Sequence, residues 1–181
     1  MKVIKTEIDG VFIIEPTVFE DERGYFFESY NKAELKKHGI DYDFIQDNQS
    51  KSRFGTIRGI HYQKGEFSQA KLVRVLEGKV LDVALDLRRS SPTFGKHIAV
   101  ELSADNHLEL LIPRGFGHGF SVLSETAVFA YKCDNVYNKA SEAGISYKDK
   151  TLGIDWKITP EQAILSEKDK HHPCLEDAEC F

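Results

Sequence analysis

The chain has 181 residues, with 24 Lys or Arg against 29 Asp or Glu, so its net charge at pH 7 is −5. This length predicts a single domain over residues 1–181. The acidic balance lacks the basic footprint of a nucleic-acid-binding protein. No apolar run approaches the roughly 20 residues that span a bilayer. We therefore expect neither nucleic acid nor a membrane as a partner.

The N-terminal stretch and the cysteines predict a cellular location. Acidic residues interrupt the apolar run of the first fourteen residues, which is unlike the architecture of a signal peptide. The cysteines Cys133, Cys174 and Cys180 are an odd number, which fits reduced thiols better than a disulfide framework. Both observations favour the cytoplasm.

Period-two hydrophobic patterning is the dominant secondary-structure signal, and it predicts many short strands. In chain order, the first strand candidates are residues 11–16 and 24–30. A helix follows, with Asn31 as its cap, Glu34 in its first turn and Gly39 after its end. Later strand candidates are residues 43–50, 56–63, 71–88 with a hairpin turn at Glu77–Gly78, 97–102, 108–113, 119–123 and 127–133.

The rest of the chain offers one more helix candidate, near Pro160–Ala163, and then a polar tail that we expect to be irregular. Many short strands without alternating helices predict an all-β sandwich, jelly roll or barrel. The segment Pro113-x-Gly115-x-x-His118 resembles the second motif of the cupin superfamily, which favours the jelly-roll barrel.

Metal-binding cupins carry a His-x-His pair, whereas this chain has His61-Tyr62-Gln63. His61, Gln63 and His118 alone make a poor divalent site, since imidazole ligands usually come with further histidine or carboxylate partners. The pair His171-His172 near Cys174 is more simply read as a solvated tail. No metal is expected.

An ordered series of blocks resembles the dTDP-4-dehydrorhamnose 3,5-epimerase family over nearly the whole chain. The blocks are FEDERGYFFES, FIQDNQSKS, TIRGIHYQ, QAKLVRVLEGKVLDVALDLRRSSPTFGKH, ELSADN, IPRGFGHGF, YKCDNVY, GIDW and LSEKD. The resemblance implies a cupin jelly-roll barrel with a few short peripheral helices. It also implies a cofactor-independent isomerase that inverts carbons 3 and 5 of a dTDP-linked 4-keto-6-deoxyhexose on the way to dTDP-L-rhamnose.

This reaction needs a base for a weakly acidic C–H, a group that stabilises the enolate oxygen, and an acid on the opposite face. By resemblance, His61 is the base, Asp169 is the carboxylate that orients it, and Tyr131 is the proton donor. Lys71 matches the lysine near the ketone oxygen. Without the resemblance, Asp169 reads as a surface carboxylate and Tyr131 as a core aromatic residue.

The resemblance also places the substrate contacts. Tyr137 matches a residue that stacks on the sugar, and Phe26 or Phe27 could stack on the base. Part of this set reaches across a dimer interface in the family, so a homodimer is expected. The remaining contacts would be Arg23, Glu28, Gln46, Asn48, Arg58, His118, Glu142 and Lys168.

Some questions stay open at this level. Arg58 and His61 differ by three positions, so a regular strand puts them on opposite faces unless a bulge at Gly59 intervenes.

The family often has Trp-x-Asp-Pro where this chain has residues 147–150, and two adjacent tyrosines where it has Val136-Tyr137. These departures lie near the sugar-stacking residue and in a loop, so they concern fine specificity rather than reaction type. The rival hypotheses are a single-carbon epimerase, a ketoisomerase on the same barrel, and a non-catalytic sugar-binding cupin.

Overall fold

A computed structural model describes all residues from 1 to 181. The chain forms thirteen strands and one α-helix, with single-turn 3₁₀ helices in the connecting and C-terminal segments. The strands are β1 (Lys2–Lys5), β2 (Phe12–Glu15), β3 (Phe19–Asp21), β4 (Gly24–Phe26), β5 (Gln46–Arg53), β6 (Ile57–Gln63), β7 (Lys71–Glu77), β8 (Lys79–Asp86), β9 (His97–Ser103), β10 (Glu109–Ile112), β11 (Phe116–Val122), β12 (Thr126–Cys133) and β13 (Glu142–Gly144). The helix α1 is Lys32–Lys37.

Two antiparallel sheets face each other, one ordered β1-β2-β10-β7-β12-β5 and the other β13-β6-β11-β8-β9. The main core lies between them, where Val73 and Phe129 of the first sheet meet Val80, Ala84 and Phe120 of the second. The predicted all-β jelly-roll class is thus confirmed. The two sheets are not joined into a closed barrel, because no strand ladder connects one to the other.

The outer face of the first sheet is partly covered by α1, whose buried Leu35 packs with Ile40 against Leu72 and Leu111. The predicted capping is confirmed, because the Asn31 side chain accepts a hydrogen bond from the backbone N–H of Glu34. Capping satisfies one of the free N–H groups at a helix start, which explains why so short a helix begins there.

Two predicted local structures are wrong. No hairpin forms at Glu77–Gly78, because β7 and β8 belong to different sheets and the chain crosses between the sheets at Gly78. The segment near Pro160–Ala163 makes one turn rather than a helix. It then extends so that Ile164 can pair with Thr56.

The segment after β13 has little regular structure but covers the outer face of the second sheet. Leu152, Trp156 and Ala178 are buried there in one cluster with Leu81 and Leu85 of β8. This cover explains why β8 is buried on both faces. None of the helices has the length and apolar composition needed to cross a membrane.

Candidate active site

Two adjoining hollows share His61 of β6 in their linings, and residues of both sheets line the inner one. The inner hollow has a volume of about 310 Å³ and the outer hollow about 400 Å³. The inner hollow is lined by Gln46, Asn48, His61, Tyr62, Gln63, Gln69, Lys71, Tyr131, Cys133, Tyr137 and Glu142. The outer hollow is lined by Lys51, Ser52, Arg53, Thr56, Ile57, Arg58, His61, Ile164, Leu165, Ser166, Lys168 and Asp169.

The imidazole of His61 is paired with the buried carboxylate of Asp169. Nε2 of His61 is hydrogen-bonded to Oδ1 of Asp169, and the backbone N–H of Asp169 donates to the Ser166 hydroxyl at 3.1 Å. Burial raises the pKa of Asp169, but the hydrogen bond and charge of His61 outweigh burial and hold that pKa below its ordinary value. An ionised Asp169 fixes the proton on Nε2 and leaves the lone pair on Nδ1.

Nδ1 of His61 has no hydrogen-bond partner in the protein, and the His61 side chain is 31% exposed. An imidazole with one nitrogen anchored and the other free towards a hollow can accept a proton from a bound molecule. The geometry therefore suits His61 to the role of a base.

Lys71, at the start of β7, is half-buried and lines the inner hollow without an ion-pair partner. Burial lowers the pKa of Lys71, although the nearby Cys133, Asp82 and Glu142 raise it. An unpaired ammonium in a partly desolvated hollow is a strong site for developing negative charge on a ligand oxygen.

Tyr131 of β12 lines the same hollow, and its hydroxyl makes no hydrogen bond within the protein. Burial raises the pKa of Tyr131, so the phenol keeps its proton at neutral pH. His61 lies on the second sheet and Tyr131 on the first, so a ligand between the sheets would meet them from opposite sides.

A bulge settles the orientation of Arg58 relative to His61. His118 pairs with His61 and Phe120 pairs with Arg58, so β6 has one residue more than β11 over this interval. Glycine at position 59 permits the close approach of the two strands, because a Cβ there would lie 2.5 Å from the Cα of the facing glycine on β11. Arg58 and His61 consequently line the same outer hollow, and Arg58 donates to the Ser52 hydroxyl at 3.1 Å.

The other predicted contacts in the hollows are linked to one another. Gln46 donates to Asn48 at 3.0 Å, and the Tyr137 hydroxyl donates to Glu142 at 2.8 Å. Glu142 also pairs with Lys168, which connects the inner hollow to the outer one. Tyr137 is 54% exposed, so the face of its ring is free to pack on a ligand.

Three predicted contact residues lie outside both hollows. His118 is 7% exposed and is hydrogen-bonded to Asp82 at 2.9 Å. Arg23 and Glu28 lie on or beside the β3–β4 hairpin, which forms a separate two-stranded sheet. The Arg23 side chain is 90% exposed and pairs with Asp21.

His172 was missed by the sequence analysis, which placed it in a solvated tail. Its side chain is 9% exposed, and its Nε2 lies 3.4 Å from Oδ1 of Asp169. Gly144 leaves room for this ring, because a Cβ there would lie 2.5 Å from the imidazole. His61, Asp169 and His172 together form a cluster whose ligand atoms lie within 4.8 Å of one another. No spacing pattern in the sequence signals the cluster.

Comparison with known proteins identifies the family. The sequence model of the family described as dTDP-4-dehydrorhamnose 3,5-epimerase matches residues 5–177. The chain belongs to the dTDP-4-dehydrorhamnose 3,5-epimerase family. The predicted family is therefore confirmed, and with it the prediction that the chain is an isomerase acting on carbohydrates.

Solved structures of the family superimpose over almost the whole chain. The dTDP-4-dehydrorhamnose 3,5-epimerase from Elizabethkingia anophelis NUHP1 is 57% identical, with a TM-score of 0.94 and coverage of 98% of this chain and 97% of that chain. The 3,5-epimerase from Legionella pneumophila, solved with dTDP-4-keto-L-rhamnose, is 47% identical, with a TM-score of 0.94 and coverage of 98% and 94%.

A 3'-monoepimerase from Streptomyces bikiniensis, solved with dTDP-quinovose, is a more distant match. It is 32% identical, with a TM-score of 0.89 and coverage of 96% of this chain and 87% of that chain. The family fold thus supports both double and single epimerisation, and sequence identity places this chain closer to the 3,5-epimerases.

Proposed function

We propose that this chain inverts carbons 3 and 5 of dTDP-4-dehydro-6-deoxy-D-glucose to give dTDP-4-dehydro-β-L-rhamnose, in the biosynthesis of dTDP-L-rhamnose. One observation carries this proposal: a free imidazole nitrogen, a free phenol and an unpaired ammonium line one hollow. These groups are a base, an acid and an oxyanion stabiliser, which are the three that epimerisation beside a ketone requires.

In the proposed reaction, Nδ1 of His61 removes the proton from the carbon beside the ketone. The electron pair moves to the carbonyl oxygen, and the ammonium of Lys71 stabilises the resulting enolate. Tyr131 then delivers its proton to the opposite face, which inverts the carbon. Asp169 stabilises the imidazolium during this step. The same groups act on the second carbon after the phenol and imidazole exchange protons with solvent.

The polar residues of the hollows supply the proposed substrate contacts. Arg58 and Lys168 line the outer hollow with positive charge, which suits the diphosphate. His118 is buried and lies outside both hollows, so we propose no direct substrate contact for it. The sugar would lie in the inner hollow, surrounded by Tyr137, Glu142, Gln46 and Asn48.

We also propose a homodimer in which Arg23 and Glu28 act in the partner's site. The β3–β4 hairpin exposes Phe19 and Phe26 by 62% and 69%, which is unusual for aromatic residues in an isolated subunit. Sedimentation should show a dimer. Arg23→Ala should raise KM without changing the dimer, whereas a monomeric wild-type protein with full activity would contradict the shared site.

The cytoplasm is the proposed location. All three cysteines are free, which suits a compartment that keeps thiols reduced. Cell fractionation should recover the chain with cytoplasmic marker enzymes, and recovery from an oxidising compartment would contradict this location.

Solvent isotope exchange tests the reaction. In D₂O we expect deuterium at both carbon 3 and carbon 5, detected by NMR and mass spectrometry, and no exchange with His61→Asn. Deuterium at a single carbon would instead identify a monoepimerase. A carbonyl moved to carbon 3 would identify a ketoisomerase, and nucleotide binding without any exchange would support the non-catalytic rival.

A further inference from the structure

The cluster of His61, Asp169 and His172 offers a combination of donor atoms that the proposed reaction does not use. Two imidazole nitrogens and one carboxylate oxygen converge from β6 and from the irregular C-terminal segment. These donors differ from the His61–Gln63–His118 positions considered in the sequence, since neither Gln63 nor His118 belongs to the cluster. Imidazole and carboxylate are the ligands that Zn²⁺ accepts most readily after thiolate.

His172 is the residue that points to a ligand. Its side chain is nine-tenths buried, and its Nε2 has no hydrogen-bond partner in the protein. Burying a ring nitrogen without a partner costs free energy, so this orientation of His172 is unfavourable unless a ligand binds Nε2. Nε2 faces Oδ1 of Asp169 at 3.4 Å, close to the separation of about 3.3 Å between two ligands on one tetrahedral zinc.

The cluster is accessible from solvent on one side. His61 is 31% exposed and lines both hollows, and Asp169 lines the outer hollow. The outer hollow also carries Arg58 and Lys168, and the pairing of Lys168 with Glu142 offsets part of their repulsion of a cation. A small cation could therefore enter through the outer hollow and keep an open coordination position for water.

We propose that His61, Asp169 and His172 form a binding site for Zn²⁺, and that the bound ion inhibits the enzyme. A metal ion takes the lone pair of Nε2 of His61, so the proton of this imidazole moves to Nδ1. Nδ1 is the atom that must accept the substrate's proton. Zinc binding and base catalysis therefore exclude each other, and the ion needs no direct contact with the sugar.

Calorimetry with ZnCl₂ and the full-length protein tests the site without relying on activity. We expect one ion per chain, and visible absorption bands of four- or five-coordinate Co²⁺ when cobalt replaces zinc. His172→Ala should weaken binding at least about tenfold, since even the loss of an outer-shell partner costs 10- to 100-fold. Gly144→Ala should also weaken zinc binding, because the new methyl group displaces the His172 ring. This second variant keeps the test valid if His172→Ala fails to fold.

His171→Ala is the matched control, because His171 is exposed and its Nδ1 contacts only the carbonyl of Glu167. This variant should bind zinc as the unmodified chain does. Unchanged zinc binding in both His172→Ala and Gly144→Ala would overturn the site. Loss of binding in Cys133→Ser or Cys174→Ser instead would assign the ion to a thiol.

The inhibitory effect rests on the proposed function, whereas ion binding does not. Each variant's epimerisation rate is therefore compared with its own rate in the presence of a chelator. Zinc at saturating concentration should abolish turnover of the unmodified chain, and the chelator should restore it. Binding with full turnover retained would refute the inhibition while leaving both the ion site and the epimerase assignment intact.

Discussion

Two histidine–aspartate pairs lie side by side on neighbouring strands but in very different surroundings. His61 on β6 is directly opposite His118 on β11, and each imidazole uses Nε2 to bond an aspartate, Asp169 or Asp82. The side chain of His61 is 31% exposed, whereas that of His118 is 8% exposed. The same two functional groups are thus accessible to solvent in the first pair and buried in the core in the second.

The neighbours of each pair explain its chemistry. His61, whose Nδ1 is free, lines a hollow that is also lined by Lys71 and Tyr131. The ring of His118 stacks on Phe129, with centroids 5.9 Å apart. Burial lowers the pKa of His118, and the charge and hydrogen bond of its aspartate only partly oppose this effect. A base needs an accessible lone pair as well as a carboxylate partner, and only the first pair combines the two.

The largest expected effect comes from replacing His61 or His118 with asparagine, in two separate variants. His61→Asn should lower kcat/KM by roughly 10²–10⁴-fold, the usual contribution of a positioned base. His118→Asn should show a smaller loss of kcat/KM but reduce the free energy of unfolding by about 1–3 kcal/mol, because it weakens a buried hydrogen bond. Steady-state kinetics and urea denaturation measure these quantities. Equal losses of kcat/KM in the two variants, with the free energy of unfolding unchanged in both, would contradict the distinction between the two pairs.

Replacing the aspartate of each pair with asparagine should have a smaller effect on turnover. Asp169→Asn should reduce kcat roughly 10–100-fold, since an amide no longer holds the imidazole with its lone pair on Nδ1. Asp82→Asn should reduce kcat less, because its histidine has no access to the hollow. Single-turnover rates give the comparison directly. A larger loss for Asp82→Asn would mean that the buried pair takes part in proton transfer.

The smallest effect concerns the alkaline limb of the pH profile. Burial lowers the pKa of Lys71 from 10.5 and raises the pKa of Tyr131 from 10.0. These opposite shifts favour Lys71 as the group that sets the alkaline limb, so kcat/KM should fall as Lys71 loses its charge. Lys71→Arg should shift this limb to higher pH, whereas Tyr131→Phe should lower the plateau and leave the limb in place. If the pH at which kcat/KM falls does not change in Lys71→Arg, the alkaline limb belongs to another group.

Local sequence signals predicted the elements whose causes are local. The helix after Asn31 depends on a cap and on Gly39 after its end, all within nine residues. The strands follow from alternation between two faces. The hairpin prediction failed at Gly78 because a glycine permits a reversal or a crossing equally well, and only the packing of two sheets decides between them.

The site could be predicted only where a block resembles the family. Spacing alone could not bring Asp169 to His61 across more than a hundred residues, and it gave no reason to bring His172 there. The closeness of His172 depends on the missing side chain of Gly144, a long-range fit that no periodicity records. The position of Arg23 outside the hollows likewise depends on the arrangement of a separate hairpin.

The irregular segment after β13 carries Asp169, and the chain's last residue is also packed. The backbone N–H of Phe181 is bonded to the carbonyl of Leu87, and its ring lies beside Tyr62. A chain still being synthesised therefore has its imidazole, phenol and ammonium well before it has the carboxylate that aligns the imidazole. Under the proposed mechanism, full turnover requires this later segment to place Asp169 against His61.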